Sequence, residues 1–161
     1  MVAKMLKRIG QFSGRAFTLI ELMAVMTILL ILTMMALPLA RNEVMRRREM
    51  VLHEDLRMMR DAIDRYKADS LAGKIPIKVD TFGYPPDLQT LVDGVVVKGT
   101  AKGKYKYLRK IPVDPMTGSA DWGLRAMQDD ADSRSWGGQN VFDVYSKSQG
   151  TALDGTAYAD W

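Results

Sequence analysis

One carboxylate stands where carboxylates rarely do. Glu21 lies four residues into the run FTLIELMAVMTILLILTMMALPLA, which spans Phe17 to Ala40 and is otherwise uncharged. An acid inside an apolar helix costs roughly 2.5–3.5 kcal/mol when central, and less near its end. Near the end it can reach interfacial water; deeper, it needs a cation. No basic side chain lies within the run, so a cationic partner for Glu21 must come from another molecule. The chemistry on offer is therefore ion pairing, not bond making.

Other chemistry finds little material. The chain has no cysteine, which removes disulfides, thiolate metal sites and thiol nucleophiles. His53 is its one histidine, so no pair of imidazoles can hold a metal within one chain. It sits among stem residues without a catalytic serine pattern and reads as a surface or packing side chain. No Gly-x-Ser-x-Gly elbow or Walker loop occurs, and no Ser/His/Asp set is apparent. An enzyme is not expected. Asp129, Asp130 and Asp132 lack full calcium-loop spacing and read as a polar turn.

Charge is distributed unevenly. Lys4, Lys7, Arg8 and Arg15 place four cations and no acid in residues 1–16. Of 23 basic and 19 acidic residues, 19 of each remain in 17–161, a net of zero. The basic character belongs to a leader, and no nucleic-acid surface is expected.

The elements that position Glu21 follow from periodicity. Leu22 to Ala40 is nineteen uncharged residues, close to the roughly 20 that a bilayer core requires. A secretory signal has an apolar core of only about 7–15 residues, and Pro38 three before a cut at Arg41 makes a poor peptidase site. A retained single-pass anchor is expected over 17–40. Its N-terminus should lie inside, although Arg41 and Arg46, Arg47 and Arg48 balance the leader's charge across the span. That arginine run reads as the solvated end of the span.

Beyond it, Leu52, Leu56, Met59, Ile63, Tyr66 and Ser70 recur at helical spacing, with charged residues on the other faces. Asp61–Arg65 and Arg57–Asp61 are candidate supporting pairs. Gly73 stops the pattern. One helix is expected from about residue 18 to 72, roughly 80 Å long. Pro38 within it should kink or loosen the rod. The stem covers 41–73.

Residues 74–161 are rich in turn signals, from Gly83-Tyr84-Pro85-Pro86 to Gly155. A short helix is expected over Asp87–Val92, ending at Asp93-Gly94, and strands over Asp121–Ala126 and Val141–Ser146. The amphipathic half of the long helix completes a small core against an antiparallel sheet. The fold class is α+β.

The stretch Gly14-Arg15-Ala16-Phe17-Thr18-Leu19-Ile20-Glu21-Leu22 resembles the cleavage and methylation signal of type IV pilins and type II secretion pseudopilins. Pro38, twenty-one residues after Phe17, also falls where many of these proteins carry a proline. The family usually has glycine directly before the cut; here Ala16 occupies that place and Gly14 lies two residues back. A cut after Gly14 would leave Arg15 first and set Glu21 two residues too far along. The spacings to Glu21 and Pro38 favour cleavage between Ala16 and Phe17.

A second set of residues narrows the resemblance. Tyr84-Pro85-Pro86-Asp87-Leu88-Gln89-Thr90-Leu91, Tyr107 to Pro115, Asp121-Trp122-Gly123 and Phe142-Asp143-Val144-Tyr145-Ser146 are similar to the major pseudopilins of type II secretion, the general secretion pathway protein G family. Lack of the cysteine pair common in adhesive type IV pilins agrees with this. The resemblance implies a pilin-like fold, a long helix packed on a small antiparallel sheet domain over 74–161. It implies removal of leader 1–16 by a prepilin peptidase, N-methylation of Phe17, and a role for Glu21 in subunit assembly. It further implies a homopolymeric periplasmic filament, anchored in inner-membrane lipid and built with an assembly platform and minor pseudopilins. A type IV pilin for adhesion, motility or DNA uptake shares every N-terminal feature. The subfamily commonly binds one calcium ion in its C-terminal loop, and Ser146, Ser148, Asp154 and Asp160 are the oxygen donors this would place there.

Overall fold

The computed structural model describes the backbone of residues 18–99 and 103–161, and the side chains of these apart from 35–40. Leader 1–16, Phe17 and the Pro38 side chain lie outside the described residues. The chain divides into two compact units, Met1–Arg41 and Asn42–Trp161.

A single helix, α1, runs Leu19–Leu71, within a residue of the expected limits. Thr18 starts it: its Oγ1 accepts the Glu21 backbone N–H at 3.3 Å, and its carbonyl accepts Leu22 N–H. This Thr-x-x-Glu spacing is that of a capping box. The helix ends on a Schellman turn. Gly73, at φ 69°, donates to the Ser70 carbonyl, and Lys74 N–H reaches back to Asp69.

Within the first unit every described side chain from Thr18 to Met34 is exposed. Among the described residues no helix is long and apolar enough to cross a membrane. The expected anchor over 17–40 extends outside those residues at Phe17 and at side chains 35–40. Arg46, Arg47 and Arg48 are exposed, as a solvated segment requires. The ion pair along the stem is Glu43–Arg47 at 3.1 Å; Arg57–Asp61 and Asp61–Arg65 do not pair.

In the second unit the helical stripe does what its spacing demands. Leu52, Leu56, Met59, Ile63, Tyr66 and Ser70 are all buried, joined by Leu91, Trp122, Val141, Val144 and Tyr158. Burying each large apolar side chain is worth about 1.5–3 kcal/mol, so this stripe is the core's organiser. At the end of α1, Asp69 accepts from Lys74 at 2.8 Å and from the Tyr107 hydroxyl at 2.7 Å. The Lys74 bond, ahead of the Tyr107 bond, holds the Asp69 carboxyl below its ordinary range. Burial, then the bond to Asp69, pushes the Tyr107 hydroxyl above its own.

A 3-10 turn at Val79–Thr81 leads to the second helix, α2, Leu88–Asp93. Asp87 caps α2 by accepting Thr90 N–H at 2.6 Å. Gly94 ends it at φ 78°, where a Cβ would stand 2.7 Å from the Tyr105 carbonyl oxygen. That closeness lets Val95 and Tyr105 form an antiparallel bridge.

Two three-residue strands form the sheet. β1, Gly123–Arg125, pairs antiparallel with β2, Asp143–Tyr145, with Leu124 opposite Val144. Both fall inside the expected runs but are shorter. The Tyr145 ring lies where a side chain on Gly123 would be. Trp122 donates its indole N–H to the Pro112 carbonyl at 2.9 Å, closing the 112–122 loop over the core. A second 3-10 turn, Tyr158–Asp160, completes the unit. The result is the expected α+β arrangement of a long N-terminal helix with a small antiparallel sheet.

Candidate assembly site

The site begins at the first turn of α1. Between Thr18 and Met34, Glu21 is the sole charged residue. Its backbone N–H is taken by Thr18, but among the described residues no side chain bonds or pairs with its carboxylate. Around it Leu19, Ile20, Leu22, Met23, Val25 and Met26 are exposed, on every side of the helix. A helix apolar all round is a membrane span or the inside of a larger assembly. The hydroxyls obey the same logic. Thr27 donates to the Met23 carbonyl at 2.8 Å and Thr33 to the Leu29 carbonyl at 2.6 Å. Both are satisfied within the helix, so neither needs water or a neighbour. Glu21 is therefore the one described polar side chain of this segment left with unmet demand.

An N-terminal turn of helix carries partial positive charge. That field favours the Glu21 carboxylate and disfavours an ammonium group placed just ahead of Thr18. The expected cleavage pair, Ala16 and Phe17, and the Pro38 kink lie outside the described residues, so the geometry speaks for Glu21 alone.

The C-terminal loop holds the four expected calcium donors, and each is engaged by protein. Ser146, fully buried, donates to Asp114 Oδ2 at 2.6 Å. Ser148 Oγ accepts Gly150 N–H at 3.2 Å. Asp154 Oδ1 accepts both the Thr156 hydroxyl, at 2.7 Å, and the Thr156 N–H, at 2.9 Å. These bonds hold the Asp154 carboxyl below its ordinary range. Asp160 Oδ1 pairs with Arg134 at 2.7 Å. Among the described residues no three acidic or imidazole groups converge as a metal would require. Asp129 serves as the expected polar turn, accepting Ala126 and Gly137 N–H groups.

Stem residues hold this loop, and of these His53 alone was singled out in the sequence, as a surface or packing side chain. Glu49 Oε1 accepts Leu153 N–H at 2.8 Å and the Tyr158 hydroxyl at 3.0 Å. The Trp161 ring stacks on His53 with centroids 4.0 Å apart. Arg60 reaches Asp143, the Val144 carbonyl and the Trp161 main-chain oxygen. The Thr18-x-x-Glu21 spacing is a capping-box signal from which the start of the helix could have been placed. Glu49 and Arg60 carried no such signal, because their partners lie 83 to 109 residues away.

Comparison with known proteins gives one family match and one relative. Residues 13–37 match a family model described as the prokaryotic N-terminal methylation motif. The chain is 33% identical over 105 residues to the type II secretion system core protein G of Pseudomonas aeruginosa. That alignment covers 62% of this chain and 66% of the relative, just under two thirds of the relative's length. No solved structure matches.

Proposed function

We propose that the chain is a major pseudopilin of type II secretion, the structural subunit of a periplasmic pseudopilus. The subunit waits in the inner membrane as a single-pass protein, N-terminus cytoplasmic and residues 74–161 periplasmic. A prepilin peptidase removes residues 1–16, and the Phe17 amine is then methylated. Polymerisation moves the apolar helix from lipid into a bundle of identical helices, in company with an assembly platform and minor pseudopilins. Secreted proteins are driven outward by the growing filament.

The observation that carries this reading is the unpartnered Glu21 carboxylate in an apolar, fully exposed first segment of α1. In a low-dielectric bundle an ion pair is strong and its absence costly. A carboxylate near the start of each helix and an amine at the start of its neighbour fix axial register, because only one stagger joins them. The Phe17 amine is the cation that processing would create. The similarity to core protein G favours secretion over a type IV pilus, which would use the same N-terminal device.

Intact mass and N-terminal sequencing of the protein from its own membranes test the reading. A chain starting at methylated Phe17 supports it. A retained Met1 in cells with an active peptidase refutes the processing step, and a start at Arg15 refutes the register. In membranes, cysteine pairs placed on adjacent expected subunits should crosslink in a ladder, and Glu21→Gln should abolish the ladder while leaving the monomer inserted.

A further inference from the structure

We propose that the C-terminal loop, residues 146–161, is fastened by the protein's own side chains and takes no calcium ion. The contrast with calcium-binding relatives rests on the family reading; the fastening itself rests only on this chain's contacts.

Calcium requires several oxygen donors, more than one of them anionic, converging at 2.3–2.6 Å. Here the two loop carboxylates have other commitments. Asp160 is neutralised by Arg134, which also donates to the Ala159 carbonyl at 3.2 Å. A guanidinium thus already supplies the positive charge that an ion would bring. Asp154 closes a local turn on Thr156. Ser146 points into the buried Asp114 carboxylate, which also accepts Met116 N–H at 2.7 Å. The cavity beside the loop is lined by Arg134, Tyr145, Lys147 and Ser148, with two cations and no acid. Such a wall repels a divalent cation.

What a metal would otherwise tie together, α1 ties directly. Glu49 holds Leu153 and Tyr158, and His53 carries the Trp161 ring. Arg60 holds the Trp161 main-chain oxygen, and the Trp161 indole donates to Thr156 Oγ1 at 2.7 Å. Three residues of the stem, at positions 49, 53 and 60, grip the loop's middle and its end. A bridge between Thr151 and Ala157 closes the loop on itself.

The test uses the full chain in detergent, with calcium chloride or EDTA as the only variable. Thermal midpoint, equilibrium dialysis with radioactive calcium, and protease cleavage within 146–161 are read together. A resident ion at a hundredfold excess over its Kd would raise the midpoint by roughly 10 °C. The expected result is an unmoved midpoint, no saturable uptake, and loop cleavage unaffected by EDTA. Glu49→Ala should speed loop cleavage roughly tenfold, reflecting easier local opening. Saturable one-to-one calcium uptake that raises the midpoint and disappears in Asp154→Asn or Asp160→Asn would overturn the proposal. So would loop protection in Glu49→Ala equal to that of the parent chain. If Glu49→Ala fails to fold, the calcium titration of the parent chain decides alone. N-terminal processing at Phe17 is read separately, so failure of the family reading is distinguishable.

Discussion

Arg60→Ala should loosen the join between α1 and the C-terminal part of the chain more than any other exposed-face change in the stem. The guanidinium makes three contacts: Nε to Asp143 Oδ1 at 2.7 Å, Nη2 to the Val144 carbonyl at 3.1 Å, and Nη2 to the Trp161 main-chain oxygen at 2.8 Å. The Arg60 and Asp143 side chains are 38% and 23% exposed, so solvent screens the ion pair to about 1 kcal/mol. Each carbonyl bond adds about 0.5–1.5 kcal/mol. Asp143 keeps Arg125 at 3.4 Å and is not orphaned, which limits the loss. The sum is about 2–4 kcal/mol. For a unit of about 120 residues, that lowers the thermal midpoint by roughly 6–20 °C. Lysine at this position keeps the charge but cannot span three acceptors, so Arg60→Lys should recover less than half. Urea unfolding of the full chain in detergent, with a double-mutant cycle against Asp143→Ala, measures the terms. A midpoint within about 2 °C of the parent chain in Arg60→Ala, or full rescue by lysine, would refute the reasoning.

Three further outcomes follow from particular contacts. Met59 is fully buried and Met58, its neighbour, is 43% exposed; Met59→Ala should cost about 2–5 kcal/mol and Met58→Ala less than about 0.5, by denaturant midpoint. Gly123→Ala forces a methyl into the Tyr145 ring and should cost about 1–3 kcal/mol, with Tyr145→Ala adding little in that background. Half-buried Asp55 has its carboxyl pushed up by burial, then by Glu54 and Asp114, with Lys110 opposing. A raised folded value means its contribution is fully present below the ordinary 3.8 and is lost as pH rises through the raised value. Asp55→Asn should therefore raise the midpoint at neutral pH, by roughly 2 °C, and the gain should vanish in acid.

The helices were legible because their signals are local. The stripe from Leu52 to Ser70 names the buried face of α1 residue by residue, and Gly73 marks its end. Asp87, Asp93 and Gly94 bracket α2 in the same way. The strands were legible in place but not in length, since alternation over Asp121–Ala126 cannot say that pairing stops after Arg125. Glu21 stood out as a charge in an apolar run. The loop fastening was hidden: Glu49 and Arg60 look like the solvated face of an amphipathic helix, and His53 read as surface or packing without a partner named. Only tertiary folding brings Leu153, Tyr158 and Trp161 to them. For the same reason the four expected oxygen donors could be picked by type, while their prior commitment to Asp114, Thr156 and Arg134 could not.

The contacts of Glu49 and Arg60 also set a schedule. The stem of α1 is synthesised early, and its partners at residues 143–161 follow up to 109 residues later. Until those residues arrive, the core around Leu52, Leu56, Met59 and Ile63 lacks Val144, Ala152 and Tyr158. Contacts so distant in sequence make closure slow relative to helix formation. The growing chain therefore passes through a period in which a finished helix displays an apolar stripe that is only partly covered. During that interval the stripe is open to chaperones, proteases and other nascent copies. A truncation short of residue 143 should hold the protein in that condition indefinitely, with the stem formed and its apolar stripe only partly covered.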